Sequence, residues 1–169
     1  DATPAAALDE AVALLGSGDW KERARGLQWL QRLLRAGHGA SPSFAERFRK
    51  RAALPLGEQL ADLRSEVVKE ASAACVLLAE RCGRSQRYAQ CVCDHLLNPL
   101  LRLGATPHKV LADHGHLASC AVFSAAPVPR LLPRLAEELR GHKSAAFRGR
   151  AMELVLRVLG SWPREALGR

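Results

Sequence analysis

The chain has 169 residues, with 48% apolar residues but only 5% aromatic ones, and it carries 25 Lys plus Arg against 17 Asp plus Glu for a net charge of +8. That apolar content excludes a disordered chain, and the length allows one domain with a real core. No run approaches the ~20 apolar residues a bilayer span requires, and the basic balance favours acidic partners.

Ala, Leu, Arg and Glu dominate, which predicts an all-helical fold. The opening "DATPAAALDEAVALL" lacks a basic leader region and reads as a first helix, not a signal peptide. It covers about 5–15, and the turn "GSGD" leads to a second helix over 20–36. Asp19 followed by Glu22 predicts a capping box, Leu27, Leu30 and Leu34 mark one face, and Gly37 and Gly39 end the helix. Trp29 is expected to pack within the helical layers, whereas Trp20 stands at the lip of the turn beside Lys21.

The second pair spans about 44–61 and 63–82. Its first helix contains the basic "RFRKR" and a Pro55 that should kink it. Phe44 and Phe48 form an apolar i, i+4 pair beneath Arg47, Lys50 and Arg51, so this stretch reads as a solvated face over a packed one. Asp62 is the expected cap of the next helix, whose stripe runs Leu63, Val67, Ala71, Ala74 and Leu78 to a terminating Gly83.

The third pair covers about 86–103 and 107–123, with Thr106 as expected N-cap, Pro107 at the first helical position, and Pro99 bending the earlier helix. The fourth covers about 128–140 and 144–160. Pro127 or Pro129 should start it, Pro133 should bend it, and Ser144 should cap its second helix after "GHKS". The tail 161–169 begins with a break and can start a further helix, and Trp162 either covers the edge of the last repeat or marks where another would dock.

Second helices thus begin near 20, 63, 107 and 144, at spacings of 43, 44 and 37 residues. This period fits HEAT or armadillo arrays, and helices in twos favour HEAT. The expectation is a single domain over 1–169, an all-α solenoid of about four HEAT-repeat pairs (5–36, 44–83, 86–123 and 128–160). Its intra-pair turns should align on one edge, basic along its length, with Trp20 either an exposed apolar anchor of hot-spot composition or a staple that folds back over Leu14 or Leu15.

The five cysteines are odd in number and fall on helical patterns, so they are expected reduced, in an intracellular protein. The "CVCDH" of 91–95 together with His114, His116 and Cys120 raises zinc, but Cys91 and Cys93 lie two apart on a helix and point in different directions, which disfavours it. Cys91 is expected in the core and Cys93 nearer the surface. His108, Asp113, His114 and His116 have no nucleophile placed with them and read as a solvated helix end. No catalytic residue, metal or cofactor is expected.

The strings "GDWKERARGLQWLQRLL", "DLRSEVVKEASAACVLLAERCG", "HKVLADHG" and "GHKSAAFRGRAMELVLRVL" resemble successive repeats of a TOG domain of the CLASP type, in order, over about 10–160. The resemblance implies a module that binds αβ-tubulin or the microtubule lattice through its intra-repeat loops and regulates microtubule dynamics. It implies tubulin-binding positions at Trp20 and Lys21, at Leu63, Arg64 and Ser65, at Lys109, and at Lys143 and Arg148. A full domain of this type has six repeats, of which four are visible here, and the fifth-loop basic contact has no counterpart. The partner is expected to be tubulin and not a membrane, and the module a monomeric domain of a larger protein, cytoplasmic and on microtubules. The alternative is a basic HEAT scaffold that binds nucleic acid, which is disfavoured, or another acidic protein.

Overall fold

The computed structural model describes residues 3–168. Eleven α-helices follow in order among them: α1 (Pro4–Leu15), α2 (Trp20–Arg35), α3 (Pro42–Arg51), α4 (Ala53–Gln59), α5 (Ser65–Cys82), α6 (Gln86–Cys91), α7 (Leu97–Gly104), α8 (Lys109–Ala125), α9 (Leu131–Gly141), α10 (Ala145–Ser161) and α11 (Arg164–Leu167). The described residues contain no strand. None of their helices is long and apolar enough to cross a membrane.

The helices form two layers. In the inner layer α2 packs on α5, α5 on α8 and α8 on α10. In the outer layer α1 packs on α3 and α4, α3 on α6, and α4 on α7. This is the all-α solenoid of helix pairs that the spacing predicts.

Local chemistry sets the element ends. Gly37 takes the left-handed conformation (φ 86°) just past α2, where a side chain would strain the turn. Pro55 and Pro99 break the outer helices in the same way. Each removes an N–H from the ladder, and three residues upstream the backbone opens, at Ala52 (φ −107°, ψ −30°) and at Leu96 (φ −111°, ψ −25°). The second break is preceded by a π-turn over Val92–Leu96.

The inner helices share a register. The seventh residue after each N-cap is Gly26, Ala71, Gly115 and Ala151, and all four are buried. At Gly26 an added Cβ would lie 2.8 Å from the Ala11 carbonyl oxygen. At Gly115 it would lie 2.7 Å from the Gly104 nitrogen. The glycines therefore let α2 seat on α1 and α8 on α7.

Several expectations need correction. The third inner helix starts at Lys109, two residues later than Thr106-Pro107 suggests, because the His108 ring accepts the Leu111 N–H (3.3 Å) and supplies the cap. Pro127 and Pro129 lie before α9, not in it, and Pro133 sits in its first turn, where no N–H is needed, so no bend results. Glu22 does not close a capping box. Ser17 Oγ accepts the Asp19 N–H that Glu22 would have taken (3.1 Å), and Glu22 pairs with Arg25 instead.

Trp29 is 37% exposed, off the buried stripe of Leu27, Leu30 and Leu34. Leu63 is outside α5 and 99% exposed, so that helix's stripe begins at Val67. Trp162 is buried and donates its indole N–H to the Phe123 carbonyl (2.6 Å). It covers the end of α8 and leaves Met152, Leu156 and Leu159 of α10 exposed.

Candidate functional edge at the intra-pair turns

The inner helices run parallel, and their own contacts prove it. Arg23 reaches Asp62, and eight residues on Gln31 reaches Glu70, also eight residues on. Gly83 and Ala125 approach each other where α5 and α8 end. Arg150 pairs with Asp113, and three residues later Glu153 pairs with His116. All four inner-helix N-termini therefore lie along one edge, and their partial positive charges add to it.

At the first turn Asp19 caps α2 by accepting the Lys21 N–H (2.9 Å). This fixes Trp20 as the first helical residue, half-buried against the core with the rest of its ring open. Lys21 is exposed, with its Nζ 5.9 Å from the centroid of the Trp20 ring. A cation at that distance is held loosely by the ring face.

The second turn is shaped by Asp62. Its carboxylate accepts the Arg64 N–H (2.8 Å), so it orders the turn two residues before α5, while Arg64 occupies the N-cap position itself. Leu63, Arg64 and Ser65 are all exposed. At the third turn Lys109 is exposed, and the adjacent Val110 is 50% exposed.

At the fourth turn Ser144 caps α10 by accepting the Phe147 N–H (3.2 Å), as its position predicts. The His142 ring packs on the Phe147 ring, with centroids 4.4 Å apart. Lys143 projects to solvent. Arg148 is half-buried and donates to the carbonyl oxygens of His142 (2.6 Å) and Lys143 (3.2 Å).

Thus Lys21, Arg64, Lys109 and Lys143 lie as exposed cations along the same edge as Trp20 and Leu63, while Arg148 ties down its own turn. The sequence reading missed Arg23, which does the same at the first turn. It donates to the carbonyl oxygens of Ser17 (2.9 Å) and Gly18 (3.2 Å) and pairs with Asp62. A signal existed: Arg23 and Arg148 are both the fourth residue after an N-cap.

The other candidate stretches lie elsewhere. Phe44 and Phe48 are buried in α3, and Arg47 and Lys50 above them are paired on the outer layer, while Arg51 is exposed. Arg47 bridges to Asp9, while Arg49, Lys50 and Arg87 gather on Glu46. Hydrogen bonds from Arg49 and Lys50 pull the Glu46 carboxyl down to about 2. Asp113 and His116 are not a solvated helix end, because both face α10. Cys91 is buried and Cys93 half-buried, as expected.

Residues 11–167 match the family described as CLASP N terminal. The chain is 29% identical over 154 residues to a CLIP-associated protein of Arabidopsis thaliana and 26% identical over 154 residues to a CLIP-associating protein of Drosophila melanogaster. It is 28% identical over 152 residues to CLIP-associating protein 1 of Xenopus tropicalis. These alignments cover about 90% of this chain and 10% of each relative, so the chain spans about a tenth of their length. In fold it is similar to a designed armadillo repeat protein, with a TM-score of 0.54 at 18% identity, over 91% of this chain and 70% of that one. With the family match running nearly end to end over the same helix pairs that build this edge, the chain belongs to the CLASP N-terminal family.

Proposed function

We propose that this chain is a tubulin- or microtubule-binding module that regulates microtubule dynamics through its turn edge. The observation that carries the reading is the edge itself: four exposed cations in a row with two apolar side chains, Trp20 and Leu63, offered beside them. Apolar anchors supply affinity, and cations supply register and encounter rate against an acidic surface. Membership in the CLASP N-terminal family and relatives named as CLIP-associating proteins support the same partner. In this reading the module works as a monomeric, cytoplasmic part of a larger protein, without catalysis.

Nucleic acid is the weaker reading, because the most basic stretch lies on the layer opposite the turn edge, with Arg47 held by Asp9 and Arg49 and Lys50 sharing Glu46.

The test is cosedimentation with microtubules and gel filtration with free tubulin, for the wild type, Trp20→Glu and Leu63→Glu. Binding by the wild type and its loss in either variant, with the helical spectrum unchanged, is the expected result. Wild-type protein that binds neither form of tubulin overturns the proposal, as does full binding by both variants.

A further inference from the structure

The junction between α8 and α10 brings three donor atoms of different chemistry to one point. His116 and Cys120 are one turn apart on α8 and so share a face. His116 Nε2 lies 3.6 Å from Cys120 Sγ. Glu153 of α10 arrives from the neighbouring repeat, its Oε2 2.8 Å from the same nitrogen. The three donor atoms all lie within 4.8 Å of one another. Arg157 holds the other Glu153 oxygen, with Nη2 at 3.1 Å and Nε at 3.3 Å. Cys120 is buried, His116 half-buried and Glu153 exposed, so the cluster opens to solvent on one side only.

Thiolate, imidazole and carboxylate are the donors zinc takes, at metal–ligand distances of about 2.0–2.3 Å. Tetrahedral angles then put neighbouring donors roughly 3.3–3.6 Å apart. His116 and Cys120 already stand at that separation. Glu153 Oε2 has to open from 2.8 Å to that spacing from His116 Nε2 and to close on Cys120 Sγ, which lies within 4.8 Å of it, a motion open to an exposed side chain. Arg157 takes one carboxylate oxygen and leaves Oε2 as a single donor, an outer-shell arrangement of the kind that orients ligands. Three protein donors leave the fourth position to water.

We infer that His116, Cys120 and Glu153 form a binding site for a zinc-class divalent cation, which staples the third repeat to the fourth. Binding releases the Cys120 thiol proton to solvent, and the hydrogen that His116 Nε2 directs at Glu153 is given up as the ring carries its hydrogen on Nδ1 instead, so that the metal takes the freed Nε2 lone pair and the Glu153 carboxylate. No electron moves.

The site is tested on the tag-free protein by titration with Co2+ under reducing conditions, followed by competition with Zn2+. One equivalent of Co2+ should give a sulfur-to-cobalt charge-transfer band with the visible bands of a tetrahedral site, and Zn2+ should abolish both. Cys120→Ser should lose the charge-transfer band. Arg157→Ala should weaken Co2+ binding about tenfold, and Glu153→Gln by at least that much. Zn2+ should raise the melting temperature of the wild type and not that of Cys120→Ser. Glu153 is on the solvent side, so its variant keeps the packing and serves as the second arm. Absence of the band in the wild type, its persistence in Cys120→Ser, or unchanged affinity in Glu153→Gln overturns the assignment.

Discussion

Arg23 and Asp62, thirty-nine residues apart, join the first two turns of the edge through a half-buried ion pair in which both the Nε and an Nη of the arginine lie 2.9 Å from one carboxylate oxygen. The same guanidinium donates to two carbonyl oxygens of its own turn. Arg23→Ala therefore strands the Asp62 charge and unties both turns together. A loss of about 2 kcal/mol is expected, readable in urea denaturation. Arg148→Ala, which breaks only contacts within its own turn, should cost less.

Gly115 is where α8 seats most closely on α7. A Cβ there would stand 2.7 Å from the Gly104 nitrogen and 2.8 Å from the Leu103 carbonyl carbon, both backbone atoms that cannot move alone. Alanine is the better helix former by about 1 kcal/mol, but overpacking against backbone outweighs that gain. Gly115→Ala should thus destabilise by about 1–3 kcal/mol. By contrast Gly149, whose Cβ would meet nothing, should gain from the same change.

Glu46 gives the outer layer a pH dependence with a definite sign. Its carboxyl titrates at about 2 in the folded protein against an ordinary 4.5, because Arg49 and Lys50 donate to it. The folded state therefore favours the charged form. This contribution is complete above the ordinary value and fades as the pH falls through about 2. The melting-temperature difference between wild type and Glu46→Gln should shrink over that window. Because the group is exposed, high salt should shrink it too.

The cysteines should separate by reactivity. Burial pushes the Cys75 thiol up to about 12 and the Cys91 thiol up to about 11. At about pH 8 both are neutral and inert toward alkylation. Half-exposed Cys93 should label first in the native protein, and Cys75 only after unfolding, as mass spectrometry of timed samples would read.

The helix pairs were legible because their punctuation is local. Asp19, Ser144, Gly37 and Pro55 each act on residues within one turn of themselves, and each does what its type predicts. The alignment of the turns followed from the period alone. Errors came where two local signals competed, as at Thr106-Pro107, where the ring of His108 took the cap two residues later. Trp29 misled because an apolar residue near a stripe is not on it. The Arg23–Asp62 pair and the meeting of Glu153 with His116 and Cys120 were invisible for another reason. Their members are brought together only when one repeat stacks on the next, and no local pattern encodes that offset.

The arginines that tie the outermost turns bear on the thermodynamics of recognition. A loop that must be ordered on association forfeits affinity, but the first and fourth turns are ordered before any partner arrives. The entropy still to be lost belongs to the tips of Lys21, Leu63, Arg64, Lys109 and Lys143, about 0.5–1.5 kcal/mol for each side chain immobilised. Docking on this edge should consequently proceed as a rigid-body encounter, with the backbone of the turns superimposing before and after.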